Sequence, residues 1–451
     1  MKYISFKFFK LPLPCLFFSL VLQSESVATT LKEALELAYK NSETVNIKAL
    51  QRDFGSIDRD TAWFNILPQT TLSYQTGKAI KPSFNYGALT QSLTDFVREN
   101  NLRVPQGNND DTSNKVGTST MSVSATLPLS YWKIVPGIVV AHKAKSAKDF
   151  EYNEFLENFG LLFIQKYMDV IYYTKAKEVY SQMTETLDKK LRKVSIMNRY
   201  GTAKKDKVVM AEAQLYENKA NEITTQSALE KAKVDYKIMT GEMPVDLEIP
   251  QLKDLVLPAK NQDEFVAMVL DNNSRLLKVK AQLSAQKANL VLSSMRFLPD
   301  AFFNYSYTDS KMGNYMNYHY HSIGIGVSLT INGSDNLLNN ARKEYKNYRI
   351  ADLNYALSLK EIEQDAGYSW DQYSAMVELV KATEKALKAS IDSLKEVKVS
   401  VSTGTATFID EMDIENQYLN ANLNYLNAIK ALTLSYYKLI SLTGVGRLVV
   451  K

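Results

Sequence analysis

Four short segments of the chain alternate between apolar residues and small or polar residues, as β-strands do when their two faces meet different surroundings. The alternation predicts strands over residues 70–76, 118–129, 301–307 and 323–331, with the first paired to the second and the third to the fourth. Strands of a membrane barrel show this pattern, but a strand half-buried on a soluble core alternates equally well. The pattern therefore predicts two strand pairs and leaves their surroundings open.

Two aromatic residues after the second segment bear on those surroundings. Tyr131 and Trp132 follow the predicted strand directly, and Tyr and Trp are enriched where a membrane meets water. We interpret the pair as interfacial anchors, which favours strands in a membrane.

Most of the remaining chain has the period of long helices. Residues 137–200 and 335–402 contain no proline, and apolar residues recur in them at spacings of three and four. A helix of about 60 residues is about 90 Å long, more than a compact domain needs. Narrow apolar stripes of this kind favour coiled-coil packing. Residues 206–240 and 408–442 are predicted to return alongside these rods.

A glycine separates each rod from its returning helix. Gly201 and Gly404 each begin a Gly-Thr-Ala sequence, and the two sequences lie 203 positions apart. Glycine commonly follows the end of a helix because it adopts left-handed backbone conformations without strain. We predict tight turns at Gly201 and Gly404, at the ends of the rods that lie farthest from the strands.

These recurrences show that the chain is a tandem repeat, and they divide it into four predicted segments. The segments are a signal peptide at 1–26, a first repeat at 27–241, a linker at 242–260 and a second repeat at 261–451. The signal peptide is predicted from lysines that precede a short apolar run and small residues that follow it. The only cysteine, Cys15, lies in that run, so the exported chain is expected to contain no disulfide and no reactive thiol.

The first copy differs from the second by a long polar insertion at residues 79–117, within which residues 89–102 are predicted to form a short helix. The strand before the insertion leaves the helical body and the strand after it returns there. We therefore expect the insertion at the far rim of the strands, outside the cell.

Export limits the membrane structures that are possible. No later segment carries the run of about 18 apolar residues typical of a spanning helix, so the chain is expected to be either soluble or part of a β-barrel. Four strands cannot close a barrel, since single-chain barrels begin at about eight strands, and lipid tolerates no open sheet edge. Strands in a membrane would therefore require the chain to oligomerise.

Charge and histidine content exclude several functional classes. The 54 Lys and Arg residues nearly balance 49 Asp and Glu, and the net charge of +5 comes without a basic block, which argues against nucleic-acid binding. His142 stands alone, and His319 and His321 are expected in a tyrosine-rich loop between strands, without the carboxylate or cysteine partners of a metal site. We predict no catalytic residue, metal or cofactor, and no enzyme activity.

Leu67-Pro68 and Leu298-Pro299 precede the first strand of each pair. These Leu-Pro sequences, the paired strands and the Gly-Thr-Ala turns together resemble the TolC-type outer-membrane factors of bacterial efflux and type I secretion. The resemblance extends over residues 30–444 and is strongest at residues 403–413. It implies a homotrimer with a twelve-stranded barrel in the outer-membrane lipid and a periplasmic tunnel of coiled α-helices. Such a trimer is a passive exit duct, whose partners would be a periplasmic adaptor protein and an inner-membrane transporter.

The resemblance also implies a role for two acidic residues. Spacing alone places Asp410 and Asp413 one helical turn apart, which is typical of a solvated face. In the family, two aspartates three positions apart ring the pore at its periplasmic entrance, and Asp410 and Asp413 correspond to them. Six carboxylates in a trimer would attract cations, and their mutual repulsion would raise their pKa values. The Gly201 and Gly404 turns would form the periplasmic tip.

Three residues depart from the best-described gate of the family: Ala406 stands in place of an arginine, Val401 in place of a tyrosine and Lys207 in place of an aspartate. The hydrogen bonds and ion pairs that close that gate are therefore not implied here. The alternative to a duct is an exported helical stalk of structural or adhesin type. The four paired strands and the repeated Leu-Pro sequences favour the duct.

Overall fold

A computed structural model describes residues 30–80, 98–99, 115–250, 257–312, 316–329, 334–445 and 448. The predicted signal peptide and nearly all of the predicted helix at 89–102 lie outside the described residues, as does most of the polar insertion.

Within the described residues, one order of elements occurs twice: two short helices, two strands and two long helices. The first half comprises α1 (Leu31–Asn41), α2 (Glu43–Phe64), β1 (Gln69–Ile80), β2 (Lys115–Pro128), α3 (Tyr131–Arg199) and α4 (Lys205–Thr240). The second half comprises α5 (Gln262–Asn272), α6 (Ser274–Met295), β3 (Asp300–Met312), β4 (Met316–Ser328), α7 (Ser334–Thr403) and α8 (Phe408–Leu442).

The four strands form one antiparallel sheet in the order β1-β2-β3-β4. Both predicted pairs are present, and β2 also pairs with β3, which joins the two halves. The loop predicted around His319 and His321 was wrong, because both residues lie inside β4, opposite Asp309 and Tyr307 of β3. Pairing of β3 with β4 continues to Met312 and Met316, so the strands are longer than their apolar alternation indicated.

The sheet has two contrasting faces. One face is apolar over most of its height and is exposed in the single chain, with Ile323, Ile325 and Val327 at 70%, 76% and 69% exposure. Side chains on the other face are mainly hydroxyls and amides, and two of its serines, Ser73 and Ser122, are hydrogen-bonded across the strands at 2.7 Å.

The polar face carries almost no charge. Apart from Asp300 at the first position of β3, none of the described strand residues on this face is Asp, Glu, Lys or Arg. The two faces therefore suit two different media, one apolar and one aqueous.

The rods are slightly longer than predicted. Helix α3 has 69 residues and α7 has 70, which corresponds to about 100 Å each. Helix α3 begins before the predicted start and includes Pro136 near its N-terminus, where a proline interrupts few hydrogen bonds. Tyr131 and Trp132 are both exposed in its first turn. No helix in the described part of the chain combines the length and apolar character that a membrane span needs.

The long helices pack side by side in one layer. Helix α3 packs along α4, and α7 packs along α8, while α3 also contacts α2, α6 and α8. Helices α2 and α4 therefore lie at one edge of the layer and α7 lies at the other. The two edges continue the two edges of the sheet, since α2 leads into β1 and β4 leads into α7.

The main hydrophobic core lies where α1, α3 and α4 meet. Phe163, Ile164 and Tyr167 of α3 are fully buried there, and the Tyr39 hydroxyl of α1 donates a hydrogen bond to the Leu156 carbonyl at 3.0 Å. A smaller cluster continues toward the far ends of the rods and contains Met183, Leu187, Leu215 and Leu419. The hydrophobic core therefore contains many buried side chains near the middle of the molecule and few near the tip.

Candidate functional site: the tip of the helical rods

The first turn at the tip is a glycine-capped helix end. Gly201 has a φ of 76°, and its N–H donates to the Asn198 carbonyl at 2.9 Å, while the Thr202 N–H donates to the Met197 carbonyl at 2.9 Å. These two bonds define a Schellman motif, in which the residue in the left-handed conformation is usually glycine.

The second turn repeats the first. Gly404 has a φ of 79°, its N–H donates to the Val401 carbonyl at 3.3 Å, and the Thr405 N–H donates to the Ser400 carbonyl at 2.9 Å. A Cβ atom added at this glycine would meet no other atom within 4 Å. The backbone conformation rather than crowding therefore calls for glycine here.

Helix α8 begins directly after the second turn with a capping box. The Asp410 N–H donates to the Thr407 hydroxyl oxygen at 3.2 Å, and the Asp410 carboxylate accepts from the Thr407 N–H at 2.7 Å and from its hydroxyl at 2.7 Å. These hydrogen bonds stabilise the ionised carboxylate.

In the single chain, these hydrogen bonds set the direction of the pKa shift of Asp410. Hydrogen bonds from the Thr407 hydroxyl and N–H lower the pKa of Asp410 below its ordinary value. The raised pKa expected from the sequence concerns repulsion among six carboxylates of a trimer, and it stays a prediction.

Asp413 lies on the same exposed face of α8 as Asp410. Polar side chains extend this face away from the tip at spacings of three and four, and all are exposed: Gln417, Asn420, Asn424 and Asn427. The result is a narrow stripe with carboxylates near the turn and amides beyond them.

The opposite face of α8 holds an ion cluster that sequence reasoning missed. Lys190 of α3 donates to Glu415 at 2.7 Å and lies 3.1 Å from Glu411, and all three side chains are largely buried. The Lys190 ammonium also lies 5.6 Å from the centre of the Phe408 ring. Desolvation raises the pKa of Glu415, although the ion pair with Lys190 opposes this effect.

A sequence signal for Lys190 does exist. It lies three residues after Leu187 and four before Val194, both buried on α3, so it interrupts an apolar stripe with a charge. Such a lysine needs a buried partner, but periodicity cannot tell which helix supplies it.

The first repeat has a different helix start at the tip. Lys204 occupies the N-cap of α4 without a side-chain cap, and Lys207 stands where the repeat places Asp410. The exposed Asp206 carboxylate accepts from the Lys207 N–H at 2.8 Å. Paired carboxylates on the exposed face are therefore a property of the second repeat.

The remaining histidine candidates lie far from the tip. His321 on β4 shares a hydrogen bond of 2.9 Å with the Tyr305 hydroxyl, and its ring lies 4.9 Å from the ring of Tyr307. No three His, Cys, Asp or Glu side chains in the described ranges are grouped closely enough to hold a metal ion.

Known proteins share this architecture. Residues 266–445 match the family model described as outer membrane efflux protein. The chain is similar to the structure of the CmeC outer membrane channel of Campylobacter jejuni, with a TM-score of 0.75 and 14% identity over 92% of this chain and 86% of that one. It is also similar to the outer membrane protein VceC of Vibrio cholerae, with a TM-score of 0.73 and 16% identity over 92% and 96%.

A third similar structure is the open state of the MtrE outer membrane channel of Neisseria gonorrhoeae, with a TM-score of 0.71 and 14% identity over 92% and 89%. No protein of curated function matches the sequence. At these identities the structures establish the fold. Together, the family match over the second repeat and the fold shared with outer membrane channels confirm that this chain resembles the outer membrane efflux protein family.

Proposed function

We propose that the chain is the passive outer-membrane exit duct of a tripartite efflux or type I secretion system, opened by a periplasmic adaptor and an inner-membrane transporter. The observation that carries the proposal is a sheet with one exposed apolar face and one nearly uncharged polar face, joined to helices of about 100 Å. The apolar face suits lipid, the polar face suits a water-filled lumen, and the rods suit a periplasmic tunnel.

The edges of the sheet support a closed oligomer. Among the residues that the structure describes, strands β1 and β4 each pair on one side only, and lipid does not tolerate unpaired backbone groups. In the proposed homotrimer, β4 of one subunit pairs with β1 of the next. Three sets of four strands then close one barrel of twelve.

Exposed apolar stripes on the helices support the same contact. Helix α2 presents a stripe at heptad spacing, formed by Ile47, Leu50, Phe54, Ile57 and Phe64. On α4, Val209, Tyr216 and Ile223 follow one another at intervals of seven residues, and α7 exposes Ile350, Leu353 and Leu357. Apolar stripes with this spacing, called seams below, normally pack against another helix.

The seams lie at opposite edges of the helical layer, with α2 and α4 at one edge and α7 at the other. A head-to-tail contact between unlike edges forms a ring when the rotation closes. The sheet edges and the helical seams therefore support the same ring.

The tip is then the entrance of the duct. In the trimer, Asp410 and Asp413 place six carboxylates around the axis in two rings, which favours cations. The Gly201 and Gly404 turns face the adaptor, and the insertion at 79–117 faces the outside of the cell, because Ile80 and Lys115 form the last described pair of the β1–β2 ladder at the end away from the rods.

Planar-bilayer recording of the purified protein tests the proposal. We expect discrete channels with a preference for cations, and we expect Asp410→Asn combined with Asp413→Asn to reduce that preference while the trimer persists in detergent. A stalk protein would give no channels. Channels with unchanged selectivity in the double variant would remove the entrance role of the two aspartates and leave the duct itself standing.

A further inference from the structure

The buried Lys190 connects the two repeats close to the tip. It extends from α3 to Glu411 and Glu415 of α8 at 3.1 and 2.7 Å. Glu411 and Glu415 are four residues apart and share the inner face of the helix with Met412, which is 1% exposed. One ammonium group therefore holds the first two turns of α8.

The same two turns carry the exposed carboxylates of Asp410 and Asp413. Glu411 lies between Asp410 and Asp413 in sequence, but its side chain is directed to α3 while Asp410 and Asp413 are exposed. Any rotation or lateral shift of this part of α8 would change where the two exposed carboxylates point.

Besides the buried Met412, the described hydrophobic packing of α8 near the tip comes from one small cluster. That cluster contains Leu419 of α8, with Leu423 packed against it. The next described ion pair between α8 and α3 joins Lys430 to Asp169 at 2.5 Å. Lys430 lies 15 residues beyond Glu415 on α8, which is about 22 Å along the helix.

We propose that Lys190 is a positioning residue for the entrance: it holds Glu411 and Glu415 against α3 and thereby fixes the direction of Asp410 and Asp413. The inference rests on the proposed function in one respect, the role of those two aspartates in ion selection. The attachment of α8 through Lys190 is independent of it.

The burial of the Lys190–Glu415 ion pair fits a role in positioning α8 better than a role in stabilising the fold. Glu415 is 2% exposed, and no described residue forms a hydrogen bond with its Oε1 atom. Burial raises the pKa of Glu415 and repulsion from Glu411 acts in the same direction, whereas Lys190 opposes both. Replacing a buried ion pair by apolar residues is often neutral or stabilising, and in several proteins buried polar groups instead fix one arrangement of the helices.

The surroundings offer no equivalent cation within the described structure. A cavity of about 360 Å³ lies beside Glu415 and is also lined by Lys395 and Lys398 of α7. The Lys395 ammonium lies 3.7 Å from the Asp392 carboxylate on its own helix. Lys398 lowers the pKa of Glu415 through its charge, whereas Lys190 is the described donor of a hydrogen bond to Glu415. Removing Lys190 would leave Glu411 and Glu415 buried without a hydrogen-bonded cation.

The test is a set of charge variants in the full-length channel. Lys190→Met removes the positive charge and keeps most of the side-chain length. The triple variant Lys190→Met, Glu411→Gln, Glu415→Gln removes the ammonium group and both of its carboxylate partners. The matched control is Lys189→Met, because Lys189 is the exposed neighbour and pairs with Glu185 on its own helix at 2.6 Å.

In planar bilayers, we expect Lys190→Met to lose cation preference and to give unsteady conductance. The triple variant should recover both properties, and Lys189→Met should behave as the unaltered protein. A role in stability alone would lower the thermal midpoint of Lys190→Met without changing its reversal potential. Unchanged selectivity in Lys190→Met, or failure of the triple variant to recover it, would overturn the proposal.

A second readout does not depend on conduction. Cys15 is the only cysteine of the chain, so spin labels can be placed at Arg192→Cys on α3 and Gln417→Cys on α8. The distance distribution between the labels should be narrow in the labelled parent and in the Lys189→Met form, and broad with Lys190→Met. If the unaltered protein does not conduct but the distribution broadens in Lys190→Met as expected, the duct proposal fails and the positioning role stands. An unchanged distribution in Lys190→Met overturns the positioning role.

Discussion

Asp410 is at once the acceptor of a helix cap and an exposed charge at the tip. Its carboxylate accepts two hydrogen bonds of 2.7 Å from Thr407, which favour the ionised form and lower its pKa. In the proposed trimer, repulsion between carboxylates acts in the opposite direction. The balance decides how far the entrance can be acidified before it loses charge.

Thr407→Val should shift that balance. The variant removes the hydroxyl donor and keeps the backbone N–H, so the pKa of Asp410 should rise. Because the charge of a carboxylate is lost as the pH falls through its pKa, cation selectivity should disappear at a higher pH than in the unaltered channel. Reversal potentials measured across a pH series would show the shift, with Thr405→Val at the preceding turn as a control. Superimposable pH profiles for Thr407→Val and the parent would contradict this account.

Gly404 offers a prediction about backbone conformation. Its φ of 79° lies in the left-handed region, where a residue with a side chain costs roughly 1–2 kcal/mol and a β-branched residue is a genuine outlier. We expect export and thermal stability to decline in the order Gly, Asn, Ala, Val at this position. Export should be assayed in cells that carry equal amounts of each variant in the membrane. Full export by Gly404→Val would show that export does not require the left-handed conformation at this residue.

At the residue scale, the sequence predicted the features that depend only on residues close together in the chain. The turns at Gly201 and Gly404 and the shared face of Asp410 and Asp413 follow from local spacing. Lys190 did not emerge, because its partners lie more than 200 residues away on a helix whose rotation only the packed structure defines. The capping role of Asp410 could have been predicted, since Thr407 and Asp410 have the spacing of a capping box.

At the scale of elements, periodicity located the four longest helices and the four strands of the described structure, but not all of their ends. It gave no bounds for the 22-residue helices α2 and α6. Apolar alternation weakens at His319 and His321, so the start of β4 was missed, although pairing with β3 continues there. The pairing of β2 with β3 joins residues nearly 200 positions apart, and no local pattern reports such a contact.

The buried Glu415 predicts how one element responds to pH. Its folded-state pKa is raised, so its contribution to stability is most favourable below its unfolded pKa and is lost as the pH rises through the folded value. Glu415→Gln should therefore raise the thermal midpoint at neutral pH, and the advantage should shrink as the pH falls toward about 4.5. Thermal unfolding in detergent at several pH values gives the measurement, with Glu185→Gln as the exposed control. A lower midpoint at neutral pH would show that the pair with Lys190 outweighs desolvation.

The apolar seam of α4 predicts where assembly is vulnerable. Ile223 is 69% exposed in the single chain, yet in the proposed trimer it lies against the next subunit. Ile223→Glu should abolish the trimer, because a charge buried without a partner is strongly unfavourable. Asn221→Glu adds the same charge on another face of the same helix and should leave assembly intact. Molar mass in detergent distinguishes them, and a trimer formed by Ile223→Glu would place the subunit contact elsewhere.

At the scale of the whole molecule, the orientation of the duct can be tested from the outside. The last described pair of the β1–β2 ladder, Ile80 with Lys115, lies at the end of the sheet away from the rods. An epitope inserted near Asn109 should therefore be reached by antibody on intact cells, and one inserted after Gly404 only after the envelope is opened. The reverse labelling would invert the proposed orientation.

The two open edges of the sheet also have a consequence for how cells make this protein. Each edge offers a row of N–H and C=O groups, and each group left unpaired in lipid costs several kcal/mol. If the proposed duct is correct, a lone subunit would have no stable position in the bilayer. Insertion and assembly would then be a single event, and a subunit without partners would keep its strand edges exposed to aggregation and proteolysis. The number of finished ducts would therefore depend steeply on the concentration of new subunits.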